Sequence, residues 1–310
     1  MTMEFPHSGV FAALATPIHV DGRPDIETFG RVVEFVAERG VDGVVIGGGT
    51  GEYPHFSEEE RTAVLARAVR LLRGERTVIA SIGTSSIFST LRLAHCAVDC
   101  GADALLIPMP HFFQYQQEDM ISFCESVCAD IAVPCLLYNL PSFTGGVTVD
   151  TAIHLLSNIP NLIGMKDSSG DRGHLEPLAR ARVNGKFSLF VGDDSLLLDA
   201  LRAGWNGVIS GIACFVPELI RAVYDAHKSG DVERSGRLQK MLDQVIEHVV
   251  SLPIPWGVRV GLAARGVSNG PMHVSPSANR LRQMQDLCSW LTTWAADRGM
   301  KLRDVWTDVA

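Results

Sequence analysis

Two residues in this sequence have the types and placement to do carbonyl chemistry. The chain has five lysines, at 166, 186, 228, 240 and 301. Four of them lie in polar or helix-like surroundings. Lys166 instead follows Leu162-Ile163-Gly164-Met165, so its amine emerges from an apolar run into a cleft. Desolvation disfavours the charged form of an amine, and a neutral amine attacks a ketone to form a Schiff base. The plainer alternative is an ion pair with the adjoining Asp167, since structural ion pairs also sit at such places. Tyr138 ends the preceding apolar run, Val133-Pro134-Cys135-Leu136-Leu137. A phenol there can carry protons to and from a carbinolamine and a substrate hydroxyl. Its alternative is an interfacial aromatic with a solvated hydroxyl.

Three elements must hold this pair. Residues 133–138 and 161–166 read as strands, and 150–157, with apolar Ile153, Leu155 and Leu156, reads as the helix between them. A strand–helix–strand unit puts both strand ends on the same side of a parallel sheet. In a parallel α/β barrel that side carries the catalysis.

The unit is one of a series. Strands are expected at 10–16, 41–46, 77–81, 104–107, 188–191 and 207–210. Helices are expected at 25–39, with Asp25 as N-cap, at 57–72, opened by the capping box Ser57-Glu58-Glu59-Glu60, and at 86–100, 118–130, 172–182, 195–203 and 217–229. The strands are short continuous apolar runs, as parallel strands covered on both faces must be. Eight strand–helix repeats predict a (β/α)8 TIM barrel over residues 8–230. A doubly wound open sheet is the alternative, and eight similar units favour closure. Residues 231–310 carry helical periodicity at 232–250, 255–265 and 277–298 and no strand signal. They predict a C-terminal helical extension.

Composition bounds the remaining possibilities. The 310 residues are 46% hydrophobic and 20% charged, which suits a globular protein with a large core. A net charge of −8 argues against general nucleic-acid binding. No stretch approaches the ~20 apolar residues of a membrane span, and the N-terminus lacks the cationic region of a signal peptide. The seven cysteines, at 96, 100, 124, 128, 135, 214 and 288, are odd in number and lie in apolar patterns. Cys96/Cys100 and Cys124/Cys128, one helical turn apart, invite a metal reading, but without matched CxxC pairs they read as free thiols. A reducing cytoplasm is the expected location.

Further candidates follow the strand ends. Gly47-Gly48-Gly49-Thr50-Gly51-Glu52 succeeds the second strand. Glycines let backbone N–H groups approach an anion, and Thr50 adds a hydroxyl. Gly49, Thr50 and Gly51 together suit the carboxylate of a 2-oxo acid, unless the segment is only a tight turn. No Lys-Ser/Thr follows, so it is not a P-loop. Ser210 and Gly211 end the last strand, as substrate contacts or as a turn. His111 is an acid/base partner or a solvent-exposed loop histidine. Asp193 and Asp194 suggest a divalent ion or, better, a helix N-cap.

Tyr138-Asn139-Leu140-Pro141, Thr144-Gly145 and Gly164-Met165-Lys166-Asp167-Ser168-Ser169-Gly170 resemble the paired signature of the dihydrodipicolinate synthase/N-acetylneuraminate lyase family. The resemblance covers roughly residue 8 to the C-terminus. It implies a class I, pyruvate-dependent aldolase or lyase with Lys166 as the Schiff-base lysine and Tyr138 as its proton carrier. It implies no cofactor and no metal. The segment Gly49-Thr50-Gly51-Glu52 would bind the pyruvate carboxylate, and a tail like residues 231–310 helps form oligomers, here a homotetramer. Three positions depart from the family. Gly49 stands where a Ser or Thr usually passes protons to the tyrosine. Phe112 stands where the synthase branch has a second tyrosine. Phe143 stands where that branch has an arginine that grips a carboxylated aldehyde. A phenylalanine cannot replace bidentate charge recognition. The expected partner of the 2-oxo acid is therefore an aldehyde without a second carboxylate. A dehydratase of 3-deoxy-2-oxo sugar acids, a true dihydrodipicolinate synthase and a catalytically weak metabolite-binding protein are the alternatives.

Overall fold

The computed structural model describes residues 5–182, 187–268 and 270–298. Eight parallel strands close in sequence order into a barrel. They are β1 (Gly9–Ala13), β2 (Gly43–Ile46), β3 (Thr77–Ser81), β4 (Ala104–Pro108), β5 (Cys135–Asn139), β6 (Leu162–Asp167), β7 (Ser188–Val191) and β8 (Gly207–Ser210). The helices between and after them are α1 (Ile26–Ala37), α2 (Glu58–Leu72), α3 (Ile87–Cys100), α4 (Gln117–Ala129), α5 (Val149–Asn158), α6 (Leu175–Ala181), α7 (Leu197–Arg202) and α8 (Pro217–Lys228). The fold is thus a (β/α)8 barrel, and the pairing of β8 with β1 excludes an open sheet.

Local chemistry starts the helices where the sequence predicts. The Asp25 carboxylate accepts from Thr28 N at 2.9 Å, and Ser57 and Glu60 form a reciprocal capping box ahead of α2. Two expected helices are shorter. Residues 172–174 and 194–196 form single tight turns before α6 and α7 begin. The aspartate before each turn, Asp171 and Asp193, bonds the backbone N–H two residues on, which fixes the turn and delays the α-helix.

Side chains alternate across each strand. Phe11, Ala13, Val45, Ile79, Leu106, Leu136, Tyr138, Phe190 and Ile209 fill the barrel interior. Their neighbours Val10, Ala12, Val44, Leu105, Leu137, Met165, Leu189 and Val208 pack outward against the helices. Lys166 follows outward Met165 and so joins the interior set.

Three further helices, α9 (Val232–Val249), α10 (Ile254–Ala264) and α11 (Ala278–Ala296), make the C-terminal part. α9 packs on α8 and α7, and α11 on α10. Leu242, Val245, Leu262 and Trp294 belong to the same apolar cluster as the barrel's outer layer. The core therefore runs unbroken across residue 230. The described residues include no helix long and apolar enough to cross a membrane. Lys186 and Lys301, and the end of the C-terminal extension beyond residue 298, lie outside the described residues.

Candidate active site

The register of β5 with β6 sets Tyr138 opposite Lys166 and Asn139 opposite Asp167. Both members of the first pair are buried, Tyr138 at 4% and Lys166 at 5% exposure. The Lys166 Nζ lies 4.3 Å from the centroid of the Tyr138 ring. Asp167 does not pair with the lysine beside it. Strand alternation turns its carboxylate the other way, where Oδ1 accepts from Asn139 Nδ2 at 2.9 Å and from Ser169 N at 3.1 Å. Its Oδ2 takes Ser169 Oγ and His174 Nδ1, each at 3.0 Å. Among the described residues, no carboxylate forms an ion pair with Lys166.

Asn139 extends this order into the next loop. Its Oδ1 accepts from Val147 N at 3.0 Å, which ties the segment carrying Phe143 back to the strand end. The other wall of the lysine is Gly192, just after β7. A Cβ there would lie 2.7 Å from Lys166 Cε and would clash with Ser168 Oγ.

The glycine-rich loop lies at the same end of the barrel. Gly47 takes a positive φ of 69° and Glu52 one of 55°, so the chain doubles back within six residues. The Gly51 carbonyl accepts from Thr16 Oγ1 at 3.0 Å. Glu52 forms a buried ion pair with Arg259 of α10 at 3.1 Å, anchoring the loop to the C-terminal helices. Burial raises the Glu52 carboxyl, and the Arg259 charge partly offsets that. Gly49 faces Leu140, the second residue after Tyr138, and a Cβ at Gly49 would sit 3.8 Å from Leu140 Cδ2. A Cβ at Gly211 would lie 3.0 Å from Thr50 Oγ1. The loop after β2 thus meets the loops after β5 and β8, and Gly49, Thr50, Gly51 and Gly211 share one barrel end with Tyr138 and Lys166.

Other predicted residues sit differently. Ser210 is fully buried, and its Oγ accepts from Ala213 N at 2.8 Å. It follows interior Ile209, so alternation turns it out of the lumen, and its hydroxyl serves the protein. Phe112 is 83% exposed and Phe143 60% exposed. Phe112 also takes a left-handed φ of 82°. Both rings face solvent within one chain. His111 is half-buried rather than free in solvent, and its Nδ1 lies 3.2 Å from the Tyr53 hydroxyl.

Asp193 and Asp194 separate. Asp193 is the N-cap, accepting from Ser195 N at 3.0 Å. Asp194 is buried with its Oδ1 unpartnered. Burial pushes its carboxyl up to about 6, with Ser210, the Ile212 N–H and the Lys166 charge offsetting part of that rise. Sequence reasoning passed over Tyr53 and read Asp194 only as an ion ligand or helix N-cap. The available signal was position, since both stand within a few residues of a strand's C-terminal end. Among the described residues the seven cysteines form no disulfide, and no group of three or more His, Cys, Asp or Glu could hold a metal ion.

The arrangement is a buried amine facing a buried phenol, below a loop rich in backbone N–H groups. The sequence from residue 6 to 290 matches the model of the dihydrodipicolinate synthetase family. The chain belongs to that family. Relatives within the dihydrodipicolinate synthetase family bear two kinds of name. A 4-hydroxy-tetrahydrodipicolinate synthase 2 of Halalkalibacterium halodurans is 30% identical over 292 residues, covering 93% of this chain and 99% of that one. An N-acetylneuraminate lyase of Rhizobium meliloti is 30% identical over 263 residues, covering 85% and 87%. Among solved structures, the Aquifex aeolicus dihydrodipicolinate synthase superposes with a TM-score of 0.88 at 26% identity, over 96% of this chain and all of that one. The Acinetobacter baumannii dihydrodipicolinate synthase, solved complexed with pyruvate, gives 0.85 at 27%, over 92% and 98%. Membership places the chain among lyases and synthases of the class I aldolase type.

Proposed function

We propose that this protein forms a Schiff base between Lys166 and a 2-oxo acid, with pyruvate as donor or product of an aldol reaction. The single observation that carries this reading is the Tyr138–Lys166 pair: buried, in register, 4.3 Å apart, and without a carboxylate on the amine. The amine attacks the keto carbon. The protonated imine then accepts the electron pair released when a C–C bond breaks or a methyl proton leaves. Tyr138 moves the protons of carbinolamine formation and of the aldol hydroxyl. Thr50 and the N–H groups of Gly49 and Thr50 receive the substrate carboxylate, while the Gly51 N–H closes the turn on the Gly48 carbonyl at 3.0 Å.

The partner is an aldehyde without a second carboxylate. Phe143 supplies no charge, and three arginines of the described residues near the strand ends are already engaged. Arg61 bonds the Gly83 and Ser81 carbonyls at 2.8 and 3.0 Å, Arg172 pairs with Asp199, and Arg259 pairs with Glu52. A carboxylate set against a phenyl ring loses pairing and hydration. The same reading includes a homotetramer, which sedimentation would measure.

The test is reductive trapping. Borohydride with pyruvate is expected to add the reduced adduct to Lys166 and to no other lysine, and Lys166→Ala is expected to abolish both labelling and turnover. Labelling that survives in the alanine variant would sink the assignment.

A further inference from the structure

Tyr138 and Lys166 belong to the barrel interior, so strand alternation turns the next residue of each strand, Asn139 and Asp167, the other way. The register sets these two opposite one another as well. Asn139 is 1% exposed and Asp167 5%, so both side chains are withdrawn from water. The Asn139 carboxamide uses both of its ends. The Val147 N–H can only donate, so Oδ1 must face it, at 3.0 Å. Nδ2 is then the end that donates to Asp167 Oδ1, at 2.9 Å.

This carboxamide joins two pieces of the site. Val147 closes the segment that carries Phe143. Within that segment the Phe143 and Thr144 N–H groups both turn back to the Leu140 carbonyl, at 3.0 Å each. Beside it, Gln117 of α4 bonds the Gly146 carbonyl and the Thr148 N–H, at 2.8 and 3.0 Å. Asp167 is fixed in turn by Ser169 and His174. Its main-chain carbonyl accepts from Gly192 N at 2.7 Å, and Gly192 is the wall against Lys166 Cε. A line of hydrogen bonds therefore runs from the Phe143 segment through Asn139 and Asp167 to the wall of the amine. The side chains of Tyr138 and Lys166 take no part in it, because the backbone pairing of β5 with β6 holds them.

We propose that Asn139 is a positioning residue for the second half of the reaction. It fixes the Phe143 segment relative to the imine, and so governs addition of the aldehyde rather than formation of the imine. It touches no reacting atom. Asp167 holds it in place by accepting from Nδ2. Asn139→Asp keeps an acceptor for the Val147 N–H but sets two carboxylate oxygens against each other at the 2.9 Å of the present bond. Two carboxylates that close do not both ionise, so the pair must part or hold a proton between them. Asp167→Asn, added to that variant, supplies the missing donor from the other side.

The inference rests on the Schiff-base reading, and one experiment separates the two. Pyruvate alone in deuterium oxide reports the imine, through borohydride trapping and methyl-proton exchange followed by NMR. Pyruvate with glyceraldehyde, and with benzaldehyde, reports addition. In Asn139→Asp, trapping and exchange are expected to stay close to wild type, while addition slows about ten-fold or more. KM for the aldehyde is expected to rise and KM for pyruvate to hold. Adding Asp167→Asn is expected to restore addition. Asn139→Ser breaks both bonds without adding charge, and is expected to show the same split with no rescue by Asp167→Asn. Wild-type addition in Asn139→Asp, equal loss of exchange and addition, or no rescue in the double variant would overturn the role of Asn139, while trapping in wild type keeps the Schiff base. Trapping in wild type without addition to either aldehyde would overturn the role of the Phe143 segment. No trapping in wild type would overturn the Schiff-base reading as well. If Asn139→Asp does not fold, Asn139→Ser replaces it and the split alone decides.

Discussion

Gly192 and the side chain of Lys166 occupy adjoining space that admits no other residue: a Cβ on Gly192 would come 2.7 Å from Lys166 Cε. β7 thus sets the direction of the amine as firmly as β6 does. Gly192→Ala must push the amine off its line or displace the backbone. A misplacement of about 1 Å costs about 100-fold in rate, and overpacking a filled site costs about 1–3 kcal/mol. Pyruvate methyl exchange and urea unfolding measure the two effects. An alanine variant with wild-type exchange would show that the amine tolerates the shift.

Tyr138→Phe keeps the ring that packs in the barrel interior and removes only the hydroxyl. Turnover is expected to fall by about 10²–10⁴-fold, with thermal stability close to wild type. A near-full rate with the physiological substrate would leave Tyr138 a packing role only.

Asp194 makes stability depend on pH. Its carboxyl titrates near 6 in the folded protein, above its ordinary 3.8. Between those values the folded chain holds a proton that the unfolded chain has released. Its contribution is therefore fully present below 3.8 and is lost as pH rises through about 6. The shift corresponds to about 3 kcal/mol. Asp194→Asn removes the titration. The stability of the Asn variant relative to wild type is expected to rise by about that amount from pH 4 to pH 7. Parallel pH profiles in urea unfolding would refute the assignment.

Substrate choice tests Phe143. Measured as kcat/KM with pyruvate under identical conditions, aspartate semialdehyde is expected to react less well than glyceraldehyde or a benzaldehyde. Phe143→Arg is expected to shift that ratio toward aspartate semialdehyde by about ten-fold or more, the scale of one charge-assisted hydrogen bond. If aspartate semialdehyde leads in the wild type, another cation meets its carboxylate.

The buried Glu52–Arg259 pair ties the glycine-rich loop to α10. Removing one partner leaves an uncompensated buried charge, so Arg259→Met is expected to destabilise the protein by about 3–5 kcal/mol. Replacing both partners with apolar residues is expected to recover most of that loss. A single variant as stable as wild type would mean that Glu52 is already protonated in the fold.

What the sequence determined by itself is local. Short apolar runs alternating with capped amphipathic stretches specify β-strand and α-helix through side-chain periodicity, and eight such units close most easily as a barrel. Lys166 and Tyr138 were legible because each terminates an apolar run, and in a parallel barrel every strand ends on the same side. Tertiary structure decided the rest. Strand alternation pointed Asp167 at Asn139 and His174 instead of at Lys166, and turned Ser210 out of the lumen. Closure of the barrel buried Asp194 beside Ser210 while its neighbour Asp193 capped a turn. It also brought Tyr53 to His111 and Glu52 to Arg259. Those contacts join loops far apart in the chain, and no periodicity encodes them. Their partners are fixed only when the strands have taken their register and the loops above them compete for the same small volume.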